Sequence, residues 1–451
     1  MKKQIKNLSS SIVLVSILLG MLSSCGDPGK GQLIGVQDRD DFYQAIPYGM
    51  LFIPQGSYNM GPSDQDVPYS ITAQSKTVSL AAFYMDETEI VNNEYRQFVY
   101  WVRDSIAHRM LGEQNEAHLV TEDEWGQPFE PPVINWREKI RWDEQEDRDV
   151  LEPLFLPQHE RYFRRKELDT RKLMYDYYII DYKSAASKAN RFDFKTGKYL
   201  NGIPDRSYFV KKDKINIYPD TLCWVHDFIY SFNEPMTNAY FWHPAFDYYP
   251  VVGISWKQAR AFCIWRTQLL NVYLQTRDEA TVQDFRLPTE SEWEWAARGG
   301  LDLSPFPWGG PYIRNSNGCF LGNYKPLRGN YLDDGGLQTI IVAHYAPNDF
   351  GLYDMSGNAA EWTSNAFDES AYNFAHDLNM DYTYEAKEDD PSALKRKVTR
   401  GGSWTGIGYY MQTGTRTYEY QDTAKCYIGF RCVESYLGRD IGDGGGASNV
   451  Y

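Results

Sequence analysis

Cysteine is the residue whose placement in this chain could do the most chemistry. Of six cysteines, Cys25 follows Leu22-Ser23-Ser24, a small-residue stretch of the kind cut by a lipoprotein signal peptidase. Cleavage before Cys25 would leave its thiol at a new N-terminus, where it can accept a diacylglyceryl group. The preceding residues fit that use. Lys2, Lys3 and Lys6 open the chain, and a short apolar run from Ser11 to Met21 follows. That run falls short of the roughly 20 residues a membrane span needs, so residues 1–24 are expected to be a signal peptide.

The other cysteines, Cys223, Cys263, Cys319, Cys426 and Cys432, are odd in number and cannot all pair within one chain. In an exported protein some disulfide is expected. The chain has seven histidines: His108, His118, His159, His226, His243, His344 and His376.

Net charge is −15, and removing the signal's three lysines takes it to −18. So acidic a body is a poor binder of nucleic acid or of an anionic bilayer, and no nucleic-acid role is expected. The segment from Arg161 to Lys214 runs the other way, with 15 Lys/Arg against 7 Asp/Glu. It reads either as a solvated face or as a docking patch for an acidic partner, which a second copy of this chain would also be. Arg161, Arg164, Arg165, Lys166, Arg171 and Lys172 are the candidate interface residues.

Positioning elements are legible in three places. Val91, Tyr95, Phe98, Val99 and Val102 form one helical stripe. Ser255 with Gln258, and Thr289 with Glu292, are capping boxes opening two more helices, and Gly299-Gly300 stops the second. Short strand signals stand at residues 50–53, 78–80 and 397–400, separated by long Gly/Asn/Pro stretches. Aromatics at 16% suit a loop-heavy fold whose irregular backbone is held by rings. Residues 25–45 read as a lipid-anchored tether, 46–437 as one domain with an insertion at about 106–247, and 438–451 as a flexible Gly-rich tail.

A set of phrases identifies the domain's kin. Ile53-Pro54-Gln55-Gly56-Ser57-Tyr58-Asn59-Met60-Gly61, Phe285-Arg286-Leu287-Pro288-Thr289-Glu290, Gly351-Leu352-Tyr353-Asp354-Met355-Ser356-Gly357-Asn358-Ala359-Ala360-Glu361-Trp362, Arg400-Gly401-Gly402-Ser403-Trp404 and Gly429-Phe430-Arg431-Cys432 occur in that order. Together they resemble the formylglycine-generating-enzyme (sulfatase-modifying factor) domain family. The resemblance implies an α+β, C-type-lectin-like fold, loop-rich, with short strands and a few helices.

It also implies site residues. Active members bind copper through two cysteines just after the Gly-Gly-Ser-aromatic turn, and the positions here are Gly406 and Met411, neither of which can be a thiolate. No copper or iron is therefore expected, and the chain reads as a pseudoenzyme with no catalytic residue. Two structural calcium sites are implied, one at Asn323, Tyr324, Asp334 and Gly336, the other at Asp354, Gly357, Ala359 and Glu361. The competing reading makes Asp334 a turn residue and Glu361 a buried hydrogen-bonded carboxylate. The resemblance further implies a Cys263–Cys432 disulfide.

The lipobox, then Gly31-Gln32-Leu33-Ile34-Gly35-Val36, Pro47-Tyr48-Gly49-Met50, Phe83-Tyr84-Met85-Asp86-Glu87-Thr88-Glu89 and Tyr95-Arg96-Gln97-Phe98-Val99, and a long insertion before Pro250, together resemble the lipoproteins of the GldK/PorK type from gliding motility and type IX secretion, with GldJ as the nearest confusion. That resemblance implies a non-catalytic subunit of a ring at the outer membrane, bulk facing the periplasm, self-associating and joined by a GldN/PorN-type partner. Two other readings compete: an oxidoreductase using His344 or His243, and a lectin-like module stacking ligands on Tyr and Trp.

Overall fold

The computed structural model describes residues 42–62, 75–123, 125–227, 234–326, 330, 332–333, 335–376 and 380–438. Cys25, the signal peptide, Asp334 and the tail from residue 439 lie outside the described residues. The chain's contacts divide between Tyr43 and Gln44, and the unit from Gln44 onward is described by itself. Gln44 is fully buried, its Nε2 donating to Glu434 Oε1 at 2.7 Å.

The unit opens with β1 (Met50–Ile53), β2 (Gly56–Met60), β3 (Lys76–Leu80) and β4 (Phe83–Asp86). β2 and β3 pair antiparallel. All four residues of β4 are buried, because it is the middle strand of a sheet. Helix α1 (Asn92–Gly112) follows, with the whole Val91–Val102 stripe buried. Glu94 Oε2 accepts from the Val91 N–H at 2.9 Å and satisfies one of the donors a helix start leaves open. The helix runs ten residues past Val102, across the expected start of the insertion.

The next stretch supplies β5 (Leu119–Glu122), β6 (Pro128–Ile134), β7 (Met174–Ile180) and β8 (Val210–Asn216), as two separate antiparallel ribbons. The β7 ribbon is no mere appendage. Tyr175 and Tyr177 are buried in the main core, and the Tyr95 hydroxyl donates to Ile217 O at 2.8 Å. Each such aromatic contributes on the order of 2–3 kcal/mol of burial.

Helices α2 (Trp256–Gln275) and α3 (Glu290–Arg298) begin at capping boxes with both reciprocal bonds present, and Gly299 ends α3 at φ 60°. Then come β9 (Ala360–Ala366), β10 (Arg396–Arg400), β11 (Thr417–Tyr420), β12 (Ile428–Gly429) and β13 (Val433–Ser435). One sheet has the order β1-β4-β13 and another β11-β10-β9-β12, with β9 parallel to β12 and antiparallel to β10. The core lies between α1, α2 and these sheets, where Tyr95 stacks on Phe262 at 5.6 Å and Trp362 is fully buried. The architecture is α+β, with short strands, few helices and long loops. No described helix is long and apolar enough to cross a membrane.

Candidate functional site

Four segments distant in sequence converge around Arg431. It follows β12, and its guanidinium grips Glu361 of β9 through three contacts of 2.6–2.9 Å. Trp293 Nε1 of α3 donates to Glu361 Oε2 at 2.8 Å. The remaining Arg431 donors reach the carbonyls of Asp86, Glu87 and Tyr353. Glu361 is thus a buried, ion-paired carboxylate with both oxygens in use, rather than an oxygen left over for a metal.

Two further carboxylates crowd this centre. Glu89, fully buried, accepts from Asn358 Nδ2 at 2.8 Å and from the Ala359 N–H at 2.9 Å. Asp354 sits at φ 56° in the left-handed region; its Oδ2 accepts from the Ala343 N–H at 2.7 Å. Its Oδ1 is buried with no partner. Burial pushes the Asp354 carboxyl up to about 6. Burial, then the charges of Asp354 and Glu361, raise Glu89 well above the ordinary range. Three carboxylates face one guanidinium here, so the site is net −2 when all ionise.

That surplus and the unpartnered Asp354 oxygen fit a hard cation held largely by backbone oxygens. Gly357 allows close approach: a Cβ there would lie 2.5 Å from Asn323 O. The Asn358 N–H donates to the same oxygen at 2.9 Å, so the Asn323 loop and the Gly357–Ala359 turn are neighbours. Asn323 Nδ2 donates to Gln338 O, Tyr324 is buried with an unpartnered hydroxyl, and Gly336 lies tight against Gln338 and Ile340. Among the described residues no three Asp, Glu, His or Cys side chains form a metal cage.

The sulfurs of Cys263 on α2 and Cys432 stand 3.5 Å apart, both buried. A disulfide holds them at about 2.05 Å. Burial raises the Cys432 thiol strongly, with Cys263 adding to it. Cys223 and Cys426 are buried in one apolar cluster, beside Trp224.

At the turn before position 406, Gly401 and Gly402 have φ of 88° and 69°. A Cβ on Gly402 would lie 2.7 Å from Tyr410 O, so only glycine lets these segments touch. Gly406 is spent on backbone bonds, its N–H donating to Ser403 O and its carbonyl accepting from the Lys325 N–H, both at 2.8 Å. Met411, fully buried, packs with Phe306, Phe320 and Tyr324. Trp404 of the same turn is covered by Trp224, the rings stacked at 5.9 Å with 14° between planes.

The family profile described as the sulfatase-modifying factor enzyme 1-like domain matches residues 41–153 and 230–436. The chain belongs to this family. Similar sulfatase-modifying-factor proteins include the inactive C-alpha-formylglycine-generating enzyme 2 of Bos taurus, 33% identical over 201 residues, covering 43% of this chain and 53% of that one. The formylglycine-generating enzyme of Bos taurus is 24% identical over 397 residues, covering 87% of this chain and 76% of its own. The match to the inactive enzyme spans about half of that protein's length. The structure of PvdO from Pseudomonas aeruginosa aligns with 16% identity and a TM-score of 0.45, covering 86% of this chain and 94% of that one. Family membership thus spans inactive and active proteins and does not by itself assign chemistry.

Residues 154–229 are unmatched by the sulfatase-modifying-factor profile and lie within the expected insertion. They carry Trp224 and the candidate interface cations. Arg161 and Lys166 both pair with Glu152, at 2.5 and 2.9 Å, and their hydrogen bonds hold that carboxyl down to about 2. Arg171 pairs with Asp169 and Glu160, and Lys172 with Asp169. Four of the six cations are therefore compensated within the chain. Among the described residues, Arg164 and Arg165 are exposed without an ion pair. Sequence reasoning passed over Glu89 and Trp224. The run Asp86-Glu87-Thr88-Glu89, acidic beside a strand signal, was the one local hint of Glu89, and nothing local marked Trp224.

Proposed function

We propose that this chain is a non-catalytic structural lipoprotein subunit of an outer-membrane-associated ring of the type IX secretion and gliding-motility machinery. It is anchored by lipid on Cys25, its bulk faces the periplasm, and it assembles with copies of itself and a GldN/PorN-type partner. The observation that carries the non-catalytic part is the state of the Gly-Gly-Ser-Trp turn. The positions implied for copper thiolates hold Gly406 and Met411, Met411 is buried among aromatics, and Trp224 lies over Trp404. The pair of thiolates that would hold a soft metal is missing there, and the Met411 thioether is packed away among rings. Calcium at the Asp354 end of the Arg431 centre would act structurally, tying the Asn323 and Gly357 loops.

The ring assignment rests on the lipobox and the full-length resemblance in sequence. Purifying the tagged full-length protein from membranes and imaging it tests the assignment. A ring containing a second periplasmic protein supports it, and a monomer that brings down nothing overturns it. The formylglycine-generating enzymes among its relatives keep an oxidase as the second reading. Metal content and oxygen consumption with thiol peptides separate the two: bound copper with turnover would establish the oxidase.

A further inference from the structure

Resting on the ring reading, we propose that copies of this chain join head to tail by inserting the Tyr162–Phe163 tip of one copy into an apolar groove beside α2 of the next. The tip is built to project. Phe163 and Arg164 are consecutive residues in the left-handed region, at φ 49° and 58°, a conformation side chains with a Cβ adopt at a cost of order 1–3 kcal/mol. Tyr162 and Phe163 remain 70% and 78% exposed and touch each other edge to face, ring centroids 4.3 Å apart. On either side the loop is pinned by Arg161 and Lys166, both paired to Glu152. Lys166 also lies 4.2 Å over the Phe155 ring. The strain and the two anchors hold an aromatic pair in water with two uncompensated cations, Arg164 and Arg165, beside it.

The groove has the complementary character. It encloses about 490 Å³ and is walled by Tyr48, Trp265, Leu269, Tyr273 and Phe285, with Glu94 at its edge. Tyr48, Leu269 and Tyr273 are 98%, 46% and 53% exposed, so the described residues leave the groove uncovered. Arg266 is the cation in the wall, and Asp86 neutralises it through two bonds of 2.9 Å. With Arg266 held by Asp86, Glu94 is the further carboxylate at the groove's edge, its Oε2 accepting from the Val91 N–H. An aromatic pair flanked by two arginines matches an apolar slot edged by a carboxylate, and aromatic and arginine anchors dominate interface energies. Both surfaces stay exposed in one chain, so a second copy is the occupant that satisfies each. Because the two faces differ, the contact is heterologous and propagates from copy to copy until it closes into a ring.

The test uses the full-length chain extracted from membranes. Phe163→Cys and Leu269→Cys are introduced together and singly, and the products are resolved without reductant under mild oxidation. The contact predicts a ladder of cross-linked copies with the pair, none with either single variant, and at least about a tenfold loss of assembly with Tyr162→Ala plus Phe163→Ala. Both positions are exposed, so an unchanged melting transition verifies the fold. Assembly of the parent chain with no paired ladder, or cross-linking to a different protein, overturns this contact and leaves the ring reading standing. A parent chain that stays monomeric overturns both.

Discussion

Trp224, from the segment unmatched to the family, stacks on Trp404, the aromatic residue of the family's own Gly-Gly-Ser turn, with ring centroids 5.9 Å apart. A residue outside the family match thereby packs against the turn beside which the resemblance implies a copper site in active relatives. Trp224 is 2% exposed, so truncation leaves a large cavity. Trp224→Ala is expected to lower stability by about 3–5 kcal/mol, read by thermal or denaturant unfolding. A change below about 1 kcal/mol would mean that Trp224 is not packed against Trp404 in solution.

The Arg431–Glu361 pair should behave as a buried unit. Removing only the cation, as in Arg431→Met, strands Glu361 among Glu89 and Asp354 and is expected to cost about 3–5 kcal/mol. Adding Glu361→Gln should recover part of that loss. A double-mutant cycle measures the coupling, and strict additivity would refute it.

Calcium should raise the melting temperature at neutral pH. A ligand at a hundred times its Kd stabilises by about 2.7 kcal/mol. Asp354→Asn should shrink the shift, because it removes one charge from the site whose Oδ1 has no partner. Equal shifts in parent and variant would place any calcium elsewhere.

Glu434 gives a pH signature. Burial pushes its carboxyl from 4.5 to about 7, while the Gln44 hydrogen bond pulls the other way. Between those values the folded chain binds the proton that the unfolded chain has released. Stability from this group is therefore full below about 4.5 and declines as pH rises to about 7. Glu434→Gln should flatten that decline in a series of melts across the window.

Cys263 and Cys432, with sulfurs 3.5 Å apart, should form a bridge in the oxidised protein. Closing a loop across 169 residues predicts a loss of about 2–5 kcal/mol on reduction or on Cys263→Ser. Mass analysis of alkylated, unreduced protein gives the pairing directly.

The three long helices were legible because their signals are local. Ser255 with Gln258 and Thr289 with Glu292 cap within one turn, and the Val91–Val102 stripe repeats at helical spacing. That Gly406 and Met411 carry no thiol was also a matter of sequence. The basic run from Arg161 was legible as composition, but not its compensation. Glu152, nine residues before Arg161, neutralises two of its cations only because the chain folds back on itself.

The sequence by itself determined the helix types, the absence of a thiol at positions 406 and 411, and the stretch that makes Cys25 a candidate anchor. Tertiary structure decided which residues meet: Glu89 with Asn358, Glu361 with Arg431, and Trp224 with Trp404. These partners are separated by 70 to 269 residues or, for the tryptophans, face each other from an insertion and a family turn. Such pairings are fixed by burial of aromatic area and by the cost of leaving a buried charge unpaired, and both act only once the chain has closed on itself.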